Sequence, residues 1–166
     1  KDEASWSQCP LEVSCLVNPP NTYLQNDQLK RVLDTHVDVF SHNTETVPRL
    51  YRRLRSKGVY ETCLELLNQL DKYRVEHQIQ MTTKTGVICG LGEEIPEILE
   101  VMDDLRKVNV DVLTLGQYLN PTKKHHPIAK FYTPEEFEML KEEGLKRGFK
   151  SVVSGPLVRS SYHAHE

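Results

Sequence analysis

No apolar run in this sequence approaches the roughly 18 to 20 residues that a membrane-crossing helix needs, so no such helix is expected. Paired cysteines are missing as well. Cys9, Cys15, Cys63 and Cys89 include no two that are three positions apart, which excludes metal sites of the CxxC type. There is no basic excess: 21 Lys and Arg stand against 24 Asp and Glu, a formal net charge of −3, so the broad positive field of a nucleic-acid binder is absent. The opening KDEASWSQCP has no basic start leading into an apolar stretch, and it is not Arg-rich and acid-poor, so it shows neither a secretory signal nor a transit peptide. No internal repeat, low-complexity tract or dividing linker is visible.

What is present suits one domain. A chain of 166 residues with 38% hydrophobic content can bury roughly 70% of the surface that its unfolded form exposes. Cys15, Cys63 and Cys89 lie inside apolar-periodic segments, where a reduced cysteine acts as a small buried hydrophobe. That favours a reducing compartment.

Short β-rich runs alternate with longer amphipathic stretches, the pattern of βα units around a parallel sheet. The expected strands are Leu11–Val17, Val37–Ser41, Met81–Cys89, Val110–Leu115 and Lys150–Ser154. One helical stripe runs through Tyr60, Cys63, Leu64, Leu67 and Leu70, and another through Ile95, Ile98, Leu99, Met102 and Leu105. Thr133-Pro134-Glu135-Glu136 predicts a helix start with a capping box, and Gly148 its end. Asn18-Pro19-Pro20-Asn21 reads as a turn, and residues 1–10 read as a flexible tail before a single domain over 11–166.

Ligands in parallel βα architectures gather at the carboxyl ends of strands. Gly86-Val87-Ile88-Cys89-Gly90-Leu91-Gly92-Glu93 has glycines that permit close backbone approach, an aliphatic residue able to pack on a planar ring, and a carboxylate at the next helix start. Ordinary strand-to-helix turns use glycine too, so that reading stays open beside an adenosine pocket. His42, Asn43 and Glu45 suit the amino and carboxylate groups of an amino-acid-like ligand; the alternative is a helix capped by Asn43 or Thr44. Arg159-Ser160-Ser161-Tyr162 reads as a phosphate site or a simple tail. The run RLYRRLRSK from Arg49 to Lys57 holds five basic residues and is either a docking patch for an acidic partner or a solvated helix face.

The stretches HNTETVPRLYRR, KTGVICGLGE, VDVLTLGQYLNPTKKHHPI, YTPEEFE and GFKSVVSGPLVRSSYHA, in that order, resemble the lipoyl synthases from about Leu11 to the end. The resemblance implies an α/β fold, a partial (β/α) TIM-type barrel. The chain would hold approximately strands 3–6 of a six-stranded radical S-adenosylmethionine partial barrel plus a C-terminal extension. It also implies an enzyme that inserts two sulfur atoms into an octanoyl chain carried on a protein lysine, using S-adenosylmethionine and two 4Fe-4S clusters.

Carried over by position, Asn43 and Glu45 match contacts to the amino-acid part of S-adenosylmethionine, and Gly86, Ile88, Gly90 and Glu93 match the adenine side. The RSSY segment places the family's serine ligand to the auxiliary cluster on Ser161, in preference to Ser160, with Arg159 as positioning donor. Gln117, His125 and His126 are the candidates for facing the octanoyl peptide. The implied partner is an octanoylated lipoyl-carrier domain, with an N-terminal part or another subunit covering the open barrel edge, and no nucleic acid. The implied setting is the mitochondrial matrix, or a soluble bacterial or plastid compartment, with the mitochondrion favoured.

The family's CxxxCxxC and CxxxxCxxxxxC motifs are absent, so this chain alone is not expected to hold either cluster or to turn over. Cys9 and Cys15 share the spacing of the second half of the auxiliary motif. LEVSC, however, aligns with the third barrel strand, far downstream of that motif, so this pair is not expected to ligate. Asn18-Pro19-Pro20-Asn21-Thr22-Tyr23 also departs from the family's Pro-Asp-Phe-x-Gly-like segment. Two readings are open: part of a lipoyl synthase without turnover of its own, or a pseudoenzyme retained as a binding or structural subunit.

Overall fold

The computed structural model describes residues 12–14, 28–35, 37–56 and 58–159. The Asn18–Asn21 turn, the expected tail, Cys9, Cys15, Ser160 and Ser161 lie outside the described residues. The elements in chain order are β1 Glu12–Ser14, α1 Gln28–Leu33, β2 Val39–Ser41, α2 Pro48–Leu54, α3 Tyr60–Glu76, β3 Thr82–Cys89, α4 Ile95–Lys107, β4 Val112–Gln117, α5 Pro134–Lys146 and β5 Ser151–Gly155.

The five strands form one sheet in the order β1-β2-β3-β4-β5, and every pairing is parallel. Each strand therefore lies beside its sequence neighbour and returns through a helical crossover. The expected C-terminal extension begins as a fifth strand of this sheet, with Leu113 opposite Val152 and Gly116 opposite Gly155.

Alternation along the strands separates two faces. Thr85, Leu113 and Val152 share one register row, and α5 packs against that side. A Cβ built on Gly144 would come within 2.8 Å of Val152 Cγ2, so only glycine lets this helix lie so close. Ser154 Oγ also donates to Phe137 O at 2.8 Å. Phe40, Leu67, Leu70, Ile98, Met102, Leu105, Leu113, Leu115, Phe137 and Leu140 fill the core, each at most 1% exposed. Each such side chain contributes about 1.5–3 kcal/mol. Lys84, Gly86 and Ile88 of β3, with Thr114 and Gly116 of β4, point to the other face.

Local chemistry sets the helix ends. Thr133 Oγ1 accepts from Glu136 N at 3.2 Å, and Glu136 Oε2 accepts from Thr133 N at 3.0 Å, closing the expected capping box. Gly148 adopts φ +92° just past that helix, as its place in the sequence predicts. The start of α4 differs from expectation: Glu94, not Glu93, is its cap, paired with Glu97 in a second capping box. The basic run after Arg49 forms α2, a two-turn helix whose cap is Val47 without a side-chain bond. Neither Asn43 nor Thr44 caps it.

At the amino ends of the strands a buried carboxylate ties three of them to α3. Asp111, 3% exposed, accepts from Thr83 N at 3.0 Å and Thr83 Oγ1 at 3.1 Å. It also pairs with Arg74, and with Lys150 at 3.0 Å. Burial alone would push this carboxyl up. The hydrogen bonds from Thr83, Lys150 and Arg74 outweigh it and hold the group below the ordinary carboxylate range.

Candidate functional site

Beyond β2 the chain stays against β3. Glu45 N donates to Gly86 O and Ile88 N to Glu45 O, each at 2.8 Å, and Glu45 takes the left-handed φ of 70°. Alternation then sends Asn43 and Glu45 to the face that carries Gly86 and Ile88, and sends His42 and Thr44 to the other. His42 Nε2 lies 3.3 Å from Cys63 Sγ, and Thr44 Oγ1 lies 2.9 Å from Thr85 Oγ1. The expected trio at this strand end is therefore a pair, because its imidazole faces the helices.

Asn43, Glu45, Gly86, Ile88, Thr114, Gly116, Gln117, Tyr118, Leu119, Val158 and Arg159 enclose a cavity of about 330 Å³ at the carboxyl ends of the strands. Gly86 sits against its polar wall. A Cβ there would fall 2.9 Å from Thr114 Oγ1 and 3.0 Å from Asn43 Oδ1. Asn43 Oδ1 is itself buried and accepts no hydrogen bond. Burial raises the Glu45 pKa, opposed by the Arg55 guanidinium and a hydrogen bond from Asn43. The cavity thus presents an acceptor-rich end beside the flat wall of Ile88, a shape and polarity that fit a ligand with a cationic head and a planar ring.

Gly90 and Glu93 do not line this cavity. Glu93 Oε1 accepts from Gly90 N at 2.5 Å and Oε2 from Leu91 N at 2.9 Å, so the carboxylate is occupied in shaping its own loop. Gly90 has φ +103°, and a Cβ on it would lie 2.5 Å from Lys130 O. The glycine is there for a close crossing of two loops. Gln117 folds the loop after β4 back beside Gly90: Nε2 donates to Lys130 O at 3.0 Å and Tyr118 O at 3.1 Å, while Oε1 accepts from Tyr132 N at 3.0 Å. Ala129 N adds a bond to Gly90 O at 2.8 Å.

The two candidate histidines lie on the same loop. His126 Nε2 is 2.9 Å from Leu91 O, and His125 Nδ1 is 2.9 Å from Thr122 Oγ1. Arg159 reaches the cavity with Nη1 donating to Val158 O at 2.7 Å. Thr114 lines the site without having been singled out in the sequence; only the register that sets it opposite Gly86 reveals it.

The described cysteines are elsewhere. Cys63 on α3 is buried between His42 and Tyr51, whose hydroxyl lies 3.2 Å from the sulfur. Burial pushes its thiol up, more than Tyr51 and Arg55 lower it. Cys89 is fully buried, and its thiol is raised by burial and by Glu93. Among the described residues no three His, Cys, Asp or Glu side chains converge on a metal position. No described helix is long and apolar enough to cross a membrane.

A parallel α/β sheet with a glycine-backed cavity at the carboxyl ends of its strands is the arrangement in which α/β enzymes hold their ligands. No family model matches the chain. It is 52% identical over 147 residues to a lipoyl synthase of Koribacter versatilis, covering 89% of this chain and 47% of that protein. Identity to the lipoyl synthase of Symbiobacterium thermophilum is 52% over 140 residues, covering 84% and 42%. For that of Halalkalibacterium halodurans it is 46% over 158 residues, covering 95% and 50%. The chain belongs to the lipoyl synthase family and corresponds to its C-terminal portion. It spans about half the length of the curated relatives it matches. Those relatives are bacterial and lend no support to a mitochondrial setting. Among solved structures, a Bacillus subtilis HMG-CoA lyase aligns with a TM-score of 0.49 and 15% identity, over 72% of this chain and 38% of that one.

Proposed function

We propose that this chain is the S-adenosylmethionine-binding C-terminal part of a lipoyl synthase, acting in sulfur insertion into an octanoyl group on a carrier-protein lysine. One observation carries the reading. Asn43 and Glu45 from the end of β2 meet Gly86 and Ile88 of β3 in a single cavity, and these are the family-matched positions for the two ends of that cofactor. The free Asn43 Oδ1 and the Glu45 carboxylate accept from the ligand's ammonium group. Ile88 packs on the adenine, and Gly86 keeps the wall open. Arg55 offsets the charge of Glu45 when the ligand is absent. When bound, the cofactor supplies the hydrogen-abstracting radical chemistry of the family.

The sequential parallel order of the strands supports an arc of a partial barrel, approximately its strands 3–6, continued by β5. The described residues do not fit an iron–sulfur cluster, since Cys63 and Cys89 are buried away from the cavity and bonded or packed where they lie. We place the auxiliary cluster's serine ligand on Ser161, with Arg159 at the cavity directing it, and the thiolate ligands on a segment outside this chain. That segment or another subunit also covers the edge of β1 that pairs with no strand among the described residues.

Isothermal titration of S-adenosylmethionine into the protein in the longest form its reading frame encodes tests the reading. Binding is expected, and N43A or E45Q should weaken it about tenfold or more, as the loss of a charge-assisted hydrogen bond predicts. Absence of binding to the unsubstituted protein, or equal binding by both variants, refutes the assignment. An in-frame CxxxCxxC upstream, with iron and sulfide in four-iron stoichiometry, separates an enzyme from a binding-only relative.

A further inference from the structure

A second cavity, of about 540 Å³, shares Glu45, Ile88 and Tyr118 with the first and opens between the end of α2 and the loop after β4. Its floor is apolar, with Leu54 and Leu91 beside Ile88 and Tyr118, and its mouth carries Arg53, Arg55, His125 and His126. Two basic segments far apart in sequence thus flank one opening. The loop segment is a tight turn: His125 N donates to Thr122 O at 3.0 Å and Lys124 N to Thr122 Oγ1 at 3.2 Å. That turn holds Lys123 and Lys124 on the surface beside His125.

Lys107, Lys130, Lys141, Lys146, Arg147 and Lys150 each sit on a carboxylate. Arg52, Arg53, Lys123 and Lys124 are exposed and form no ion pair among the described residues. The same is true of Lys30, Arg31 and Lys72 elsewhere on the surface. Arg49, the first residue of the basic run, is not part of the patch. Its guanidinium is committed to Glu97 at 2.7 and 2.8 Å and to Gly92 O at 2.8 Å. In a chain of net charge −3, Arg53 at the mouth, with Arg52, Lys123 and Lys124 next to lining residues on the two flanking segments, forms a local field that selects for anionic surfaces.

We propose that this rim, Arg52 and Arg53 on one side and Lys123 and Lys124 on the other, docks an acidic face of the folded acyl-carrier domain, whose modified lysine arm enters the second cavity. The inference rests on the function proposed above and adds the surface that recognises the protein part of the substrate. The apolar floor favours this occupant over a nucleic acid. A methylene chain buries against Leu54, Ile88 and Leu91, whereas a phosphate backbone has nothing to place there.

The test uses the protein in the longest form its reading frame encodes. The variants are R52E/K124E and the milder single changes R52Q and K124Q, with K72E on the exposed side of α3 as control. Binding of an octanoylated carrier domain is titrated at low and high salt, and KM is measured for the domain and for a short uncharged octanoyl-lysine peptide. The expected result is a ratio of carrier KM to peptide KM that rises about tenfold or more in R52E/K124E, as charge reversal across a steered interface predicts. Smaller shifts in the same direction should appear in the single variants, with the ratio unmoved in K72E. Carrier affinity should fall with salt in the unsubstituted protein and do so less in the double variant. A ratio within about twofold of the unsubstituted protein, or displacement of the carrier by duplex DNA at equal charge concentration, overturns the proposal. If neither octanoyl substrate is turned over, the function proposed above fails, and the carrier titration alone decides the docking surface.

Discussion

Replacing Asp111 should loosen the amino-terminal end of the sheet, and the size of the effect follows from its bonds. The carboxylate serves Thr83 N and Oγ1, Arg74 and Lys150 at once, from a position 3% exposed. D111A leaves Thr83 N–H buried without an acceptor, about 1–3 kcal/mol, and takes one partner from Arg74. Arg74 keeps Asp71 at 2.8 Å and the carbonyls of Met81 and Asn109 at 3.1 and 2.9 Å, which limits that part of the loss. Lys150 is exposed and regains water. The sum is about 3–4 kcal/mol for D111A, near the cost of breaking a buried pair. It is about 2 kcal/mol for D111N, which keeps an acceptor for Thr83 but not the charge.

The pH dependence has a definite sign. The folded carboxyl titrates below its unfolded value, so the unfolded state binds more protons in that window, and stability rises with pH there. The contribution is complete above the unfolded value, about pH 4, and disappears as pH falls through the folded one. Urea unfolding followed by circular dichroism at pH 7, with thermal midpoints from pH 3 to 7, measures both. D111N within about 0.5 kcal/mol of the parent at pH 7, or a difference that does not narrow in acid, would refute the reasoning.

Three further outcomes follow from the site. G86A places a methyl group against Thr114 Oγ1 and Asn43 Oδ1 and should reduce S-adenosylmethionine affinity about tenfold while lowering stability by about 1 kcal/mol; calorimetry and urea titration separate the two effects. E93Q puts an amide N–H where Gly90 N or Leu91 N needs an acceptor and should cost about 1–3 kcal/mol. Its signature is faster amide exchange in the 90–93 and 129–132 segments, and unchanged exchange there would contradict the loop-shaping role. Cys63 and Cys89, buried and with raised thiol pKa values, should resist iodoacetamide at pH 8 until denaturant is added; mass spectrometry of the native protein showing rapid labelling at either would count against the packing described.

The sequence made the parallel α/β alternation legible because each apolar period matched its element. The strand expected at Met81–Cys89 forms from Thr82, and that at Lys150–Ser154 forms over Ser151–Gly155. The capping box at Thr133 formed as its residue types require. The short helix Gln28–Leu33 was not legible, since so few residues carry too little periodicity; that at Pro48–Leu54 was legible only as one alternative for the basic run, with its start placed too early at Asn43 or Thr44.

In the site, Asn43, Glu45, Gly86 and Ile88 converge, because residues two apart on neighbouring strands share a face. The role of Glu93 was hidden: a carboxylate three residues after a glycine has the same spacing whether it meets a ligand or closes its own loop. The burial of Lys84 and Thr83 in a strand bounded by polar residues likewise follows only from the strand's central place in the sheet.

The loop after β4 is held by bonds that end on main-chain atoms, to its own strand through Gln117 on Lys130 O, Tyr118 O and Tyr132 N, and to the loop after β3 through Ala129 on Gly90 O and His126 on Leu91 O. Every residue type except proline offers both a carbonyl and an amide. The course of the 118–132 segment is therefore written into a few anchoring positions, and the residues between them are free to vary. Such a segment behaves as an exchangeable cassette: its side chains can change, and with them the surface that the loop presents, while the wall behind the first cavity keeps its shape.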